Sequence, residues 1–236
     1  AKMVRDLESS GFIYLDYNAT TPPHPVVAER VGEAFRSHWG NPSSMHPLGL
    51  KARELITEAR EKVAELVDCS PSEVIFTSGG TESNRLALWS AWWGRPRGRN
   101  RIVVSAIEHS SVLEAAQNLR FFGAEVVLCP VDRNGVLKIE KLQELCTEDT
   151  ALIAVMAANN EIGTLQPIES VGEVARRTGA LFLCDAVQAV GKIFFSFKKT
   201  GCDYAAVSAH KIYGPKGVGA LVVRGGAPVR PILKAS

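Results

Sequence analysis

Ser208-Ala209-His210-Lys211-Ile212-Tyr213-Gly214-Pro215-Lys216-Gly217 follows the apolar run Tyr204 to Val207 and closes in a Gly/Pro-rich turn. That run is continuous in apolar residues rather than alternating, the pattern of a strand covered on both faces. A Ser, a His and a Lys stand at its end. Packing gives no reason for a lysine there. A desolvated lysine loses its proton more easily and becomes a nucleophilic amine, of the kind that forms Schiff bases with aldehydes.

Six more runs of the same kind flank it: Val74–Thr77, Ile102–Ser105, Val126–Leu128, Leu152–Met156, Leu181–Cys184 and Ala220–Val223, with Tyr204–Ser208 the seventh. Helical segments lie between many of them, over Thr81–Trp93, Ser110–Phe122 closed by Gly123, Ile139–Cys146, and Ile168–Thr178 closed by Gly179. Upstream, Val27, Val31, Ala34, Phe35 and His38 recur at helical spacing, as do Leu55, Ala59, Val63, Leu66 and Val67. Glu58 and Lys62 are placed as an i,i+4 pair on the outer face of that second helix. This progression predicts an α/β fold, a mostly parallel seven-stranded sheet flanked by helices. Residues 1–21 read as an N-terminal arm and 22–236 as one large domain.

The 236 residues are 46% hydrophobic and 22% charged, ordinary for a globular chain, and the net charge of +2 creates no field that would draw nucleic acid or a membrane surface. No apolar run approaches the roughly 18 residues of a membrane span, and the N-terminus lacks the basic-then-apolar pattern of a secretory signal. Cys69, Cys129, Cys146, Cys184 and Cys202 are odd in number and without C-x-x-C spacing, which argues against a disulfide framework and against a metal site. A reducing, cytoplasmic setting is expected, or a mitochondrial one if a transit segment has been removed. The arginine-rich stretch Gly94 to Arg101 reads as a solvated connecting loop.

In parallel α/β sheets ligands bind beyond the carboxyl ends of the strands, and the unusual polar residues of this sequence sit at those ends. After Thr77 comes Ser78-Gly79-Gly80-Thr81, opening a helix. Its glycines allow close backbone approach and its free N–H groups suit a phosphate, although Thr81 would serve equally as a plain N-cap. Glu108-His109 offers an imidazole able to stack on a planar ring and carry protons. Asn159-Asn160 supplies amides that either bind a ligand or form an Asx-turn. Asp185, with Gln188 three residues on, puts a carboxylate where burial is costly unless it is paired. Ser208 and His210 could donate to a phosphate beside Lys211. Lys192 and Lys216 are the competing lysines, and both read as solvated turn residues. A lysine-held aldehyde with an acidic partner on its ring nitrogen is pyridoxal phosphate (PLP).

These residues resemble the PLP-dependent cysteine desulfurase and selenocysteine lyase family, within the fold-type-I, class V aminotransferase group. The likeness runs from Tyr14-Leu15-Asp16-Tyr17-Asn18-Ala19-Thr20-Thr21-Pro22 through Gly40-Asn41-Pro42-Ser43-Ser44 and Phe76 to Ser83. It continues through Glu108-His109, Asn159 to Gly163, Asp185 to Gln188 and Ser208 to Gly214. It implies that Lys211 binds PLP as a Schiff base, that Asp185 pairs with the ring nitrogen, and that Gln188 and Asn160 contact the ring side. It implies further that His109 stacks and moves protons, that Gly80, Thr81, Ser208 and His210 hold the phosphate, and that Asn18 and Asn41 meet the substrate. The implied reaction takes sulfur from L-cysteine, leaving alanine and a persulfide for iron–sulfur cluster or tRNA thiolation pathways, in a homodimer that serves a sulfur-acceptor protein. Selenocysteine cleavage, β-elimination or transamination are the alternatives on the same scaffold, and a non-catalytic binding or dimerisation partner is a third. Family members continue into a small domain with the persulfide cysteine. Because this sequence ends at Ile232 to Ser236, the expectation is a large PLP domain without that C-terminal domain. Cys184, next to Asp185, is expected to point to the opposite face and be inert.

Overall fold

The computed structural model describes residues 11–231; the first ten residues of the expected arm and Ile232 to Ser236 lie outside them. The helices are α1 (Pro25–Ser37), α2 (Pro47–Val67), α3 (Gly80–Gly94), α4 (Ser110–Leu119), α5 (Ile139–Leu145), α6 (Ile168–Thr178) and the short α7 (Phe197–Thr200). The strands are β1 (Val74–Thr77), β2 (Arg101–Ser105), β3 (Glu125–Cys129), β4 (Thr150–Met156), β5 (Leu181–Asp185), β6 (Tyr204–Ser208) and β7 (Gly219–Val223). All seven expected strands form, in the order β1-β7-β6-β5-β4-β2-β3. Only β7 runs antiparallel to its neighbours.

Alternation along the strands splits the core in two. Val103, Ile153, Val155, Phe182 and Cys184 pack with α2, α5 and α6 on one face. Ile102, Val104, Leu152, Ala154 and Leu183 pack with α3 and α4 on the other. By parity Asp185 follows Leu183, onto the α3 and α4 face, and Cys184 is buried opposite, as expected. The lateral register sets Met156 and Asp185, the last residues of β4 and β5, beside Ala206, two residues before the end of β6.

Local chemistry explains the helix starts. The His24 and His46 side chains cap α1 and α2, each followed by proline at the first helical position. Gly79 precedes α3 with φ 154°, open to glycine alone in practice, and Gly179 ends α6 at φ 70°.

Two expectations are corrected. Lys62 pairs with Glu65, three residues on, rather than with Glu58. The arginine stretch is a set of pins at the amino ends of the strands. Arg95 lies over the Trp92 ring, Arg99 donates to the Thr150 and Thr178 carbonyls at 2.7 and 2.9 Å, and Arg101 reaches Leu145 O, Thr147 and Glu125. Several guanidinium donors in a fixed fork can satisfy several carbonyls at once, which a composition-based reading of the loop misses.

Candidate active site

One cavity of about 460 Å³ opens beyond the carboxyl ends of β4, β5 and β6. Asn18, Gly80, Thr81, His109, Asn160, Asp185, Gln188, Ser208, His210 and Lys211 all line it. Asn41 does not. It stays in the turn before α2, where its side chain accepts from Ser43 N at 2.9 Å and its carbonyl from Ser44 N at 3.0 Å. Pro42 fixes the chain there and leaves the amide to a local Asx-turn.

The floor is Asp185. Its Oδ1 accepts from Val187 N at 3.0 Å and its Oδ2 from Asn84 Nδ2 at 2.8 Å. Burial raises its pKa, while these donors and the charges of His109 and Lys211 draw it back. No cation pairs with it directly among the described residues.

Lys211 lies in the turn after β6, its ammonium donating to the carbonyls of Asn18 and Ala19 at 2.5 and 2.8 Å. Burial lowers its pKa, against the opposing pull of Asp16 and Asp185. The arm is stitched to the same turn: Thr21 N donates to His210 O at 2.9 Å and Tyr213 N to Thr21 Oγ1 at 2.7 Å. His210 shares a 3.1 Å hydrogen bond with Thr20 Oγ1, and burial beside Lys211 and Lys216 holds its pKa low.

At the other wall the Gly79-Gly80 backbone approaches Ser208. A Cβ on Gly80 would sit 2.7 Å from Val187 Cγ2 and 3.7 Å from Ser208 Cβ. Ser208 Oγ is buried with no hydrogen-bond partner, a donor held for something the chain does not supply. Above them His109 caps α4, its Nδ1 accepting from Ser111 N at 3.1 Å. Asn160 Nδ2 donates to Glu161, and Asn159 makes the local turn, accepting from Glu161 N and Ile162 N.

Lys192 is not the free turn residue expected. Its ammonium bonds Gln188 Oε1 and lies 3.4 Å from Asn18 Oδ1, while Gln188 Nε2 donates to Asn18 O at 3.0 Å. Lys216 is exposed. Sequence reasoning also missed Asn84, Ser111 and a role for Glu108. Asn84 shares a helical stripe with Ala87, Leu88 and Ala91, so an amide on the apolar face was the available signal. Glu108 accepts from Met156 N at 2.6 Å through Oε1, and its buried Oε2 has no partner. Burial, then the neighbouring Asp185, push its pKa well up, toward a protonated carboxyl.

The arrangement combines an amine of lowered basicity, an orientated carboxylate without a cation, an imidazole, and a glycine-lined helix start beside an unused hydroxyl. The family model for class-V aminotransferases matches residues 13–233. Among similar curated proteins, cysteine desulfurase IscS of Dictyoglomus turgidum is 42% identical over 221 residues, 94% of this chain and 56% of that protein. Cysteine desulfurase IscS 1 of Archaeoglobus fulgidus is 44% identical over 93% of this chain and 57% of its own length. The chain thus spans little more than half the length of these relatives. A solved structure described as a NifS-like protein superimposes with TM-score 0.92 at 43% identity, covering 95% of this chain and 62% of that one. SspA in complex with cysteine gives 0.90 at 35% identity, covering 95% and 65%. By the match along nearly its whole length, the chain belongs to the class-V aminotransferase family.

Proposed function

We propose that this chain is the cofactor-holding part of a PLP-dependent cysteine desulfurase. The observation that carries the reading is that Lys211, Asp185 and the Gly80–Ser208 cradle line one cavity. The residues fit the cofactor on grounds of their own: an unpartnered buried hydroxyl at Ser208, a wall where Gly80 leaves no room for a side chain, and a carboxylate lacking a cation. Gly80, Thr81, Ser208 and His210 would hold the phosphate, Asp185 the ring nitrogen, Gln188 and Asn160 the ring edge, and Lys211 the aldehyde carbon. When bound, PLP supplies an electron-withdrawing ring that stabilises negative charge on the carbon next to a substrate's nitrogen.

The protein's own part is to place charge and protons. Burial favours the neutral amine at Lys211 Nζ, so the same atom can attack a carbonyl and take up a proton. Asn18 and Ala19 orient that nitrogen through their carbonyls. Asp185, held by Asn84 and Val187, presents fixed negative charge to a ring cation without reorganising. His109 is the second proton-handling group on the wall.

The substrate class is a free amino acid carrying a thiol or selenol, L-cysteine or selenocysteine. A thiolate must then accept the sulfur. None of the five cysteines lines the cavity, and burial pushes Cys69 and Cys129 up to about 11, Cys146 and Cys202 to about 12, and Cys184 well above the ordinary thiol range. These thiols stay protonated at neutral pH and nucleophilically weak. The acceptor is assigned to a group outside the described residues or to a sulfur-acceptor protein, in a homodimer and in a reducing compartment. Mixing the PLP-treated chain with L-cysteine and excess free thiol tests the reading. Alanine and sulfide should appear in equal amounts and vanish in Lys211→Ala. A cofactor absorbance that cysteine shifts with no alanine released would replace the desulfurase with a cofactor-binding, non-catalytic chain.

A further inference from the structure

A buried line of side chains joins Asp185 to His109. Asn84 on α3 and Ser111 on α4 are 1% and 4% exposed; Asn84 enters the reaction outlined above only as a support for Asp185, and Ser111 has no part in it. Asn84 Nδ2 donates to Asp185 Oδ2 at 2.8 Å and to Ser111 Oγ at 3.0 Å. An amide nitrogen has two hydrogens, so both are spent. The charge on Asp185 fixes which way that amide faces. Turned over, Asn84 would set its carbonyl oxygen against a carboxylate.

Ser111 Oγ, accepting from Asn84, must send its own hydrogen elsewhere. His109 Nδ1 lies 2.8 Å away, and Ser111 N also donates to that nitrogen at 3.1 Å. A backbone N–H can only donate, so the nitrogen it meets carries no proton, and the Ser111 hydroxyl is left to donate to it as well. Which imidazole nitrogen is protonated follows from the bond the other one makes.

We infer that Asn84 and Ser111 are positioning residues that hold His109 as its Nε2–H tautomer and tie that choice to the charge on Asp185. Nε2 is then the nitrogen left for a ligand of the cavity, and in the neutral ring it serves as a hydrogen donor. Proton acceptance falls first to Lys211 Nζ. Asn84 Oδ1 is buried without a partner, which makes the coupling switchable. With Asp185 replaced by asparagine, Asn84 gains an acceptor bond by turning over. Ser111 Oγ would then donate to Asn84 Oδ1 and accept from His109 Nδ1. These hydrogen bonds are the protein's own and do not depend on whether PLP is the ligand.

Nitrogen-15 NMR of the imidazoles in the cofactor-free chain reads the tautomer directly, above about pH 8 where an ordinary imidazole is neutral. Five histidines are present, and His109→Gln identifies the relevant signal. Wild type should show His109 protonated at Nε2 and bare at Nδ1. Ser111→Ala and, separately, Asp185→Asn should each move the tautomer ratio toward Nδ1–H by roughly fivefold, the worth of one net hydrogen bond. Ser111→Thr, which keeps the hydroxyl, should restore the wild-type ratio relative to Ser111→Ala. A wild-type ring protonated at Nδ1 overturns the inference with no variant needed, and so does a ratio that neither Ser111→Ala nor Asp185→Asn moves. A parallel PLP absorbance titration separates this from the proposed function. The visible band can form while the tautomer result fails, and the reverse.

Discussion

Two buried aspartates occupy opposite ends of the same part of the sheet, and they are satisfied differently. Asp203, just before β6, is 2% exposed; it accepts from Phe182 N at 2.8 Å and from the Arg224 guanidinium. Asp185, ending β5, is 6% exposed and accepts only from neutral donors. Burial raises the pKa of both. One charge is answered inside the chain, the other faces a cavity. Desolvated charge is costly unless paired, so the unpaired one marks where a ligand supplies the cation.

The sharpest way to break this contrast is to neutralise each aspartate in turn. Asp185→Asn should weaken PLP binding roughly 30-fold or more in an absorbance titration, the scale for losing one side of a buried charge pair. Its melting temperature should barely change, because Asn84 can turn over to meet the new amide. Asp203→Asn should do the opposite, leaving PLP affinity alone while costing about 2–3 kcal/mol in urea unfolding, since a donor is then set against Phe182 N or Arg224. Equal effects of the two variants on PLP affinity would end the distinction.

Gly80→Ala comes next. The new methyl must displace Val187, whose β-branched side chain is stiff, at about 1–2 kcal/mol of stability. The same methyl narrows the cradle, so affinity for inorganic phosphate measured by calorimetry should drop as well.

Glu108 sharpens the comparison through pH. Its pKa is raised in the folded chain, so the folded state keeps a proton that the unfolded state has released. Its contribution to stability is therefore greatest below the ordinary carboxylate range and falls as pH rises through it toward the folded value. Glu108→Gln, which keeps an acceptor for Met156 N, should flatten that decline in urea melts between pH 4 and neutrality. An unchanged slope would mean Glu108 ionises freely. Smallest of all, Lys62→Ala removes an ion pair whose two side chains are 81% and 76% exposed, and the thermal midpoint should not move measurably.

The seven strands were legible because each is a continuous apolar run, and the residues ending them stood out as polar intrusions. Lys211, Asp185, His109 and Ser208 were found that way. Asn41 was not separable from them, because a turn amide and a ligand amide look alike until the turn is seen to use it. Asn84 and Ser111 were missed, and Lys192 was read as solvated, for a related reason. Their work is to hold other side chains across segments far apart in sequence, 101 residues between Asn84 and Asp185, and no local pattern reports that. Arg99 and Arg101 likewise became structural only once strand starts were seen to converge on them.

The central claim is that Lys211, and neither Lys192 nor Lys216, is the amine that holds an aldehyde over Asp185. Borohydride reduction of the PLP-treated chain followed by peptide mapping tests it most directly. One pyridoxyl group on Lys211, absent after Lys211→Ala, is the predicted result. Label on Lys192 or Lys216 instead, or no specific label at all, would contradict it.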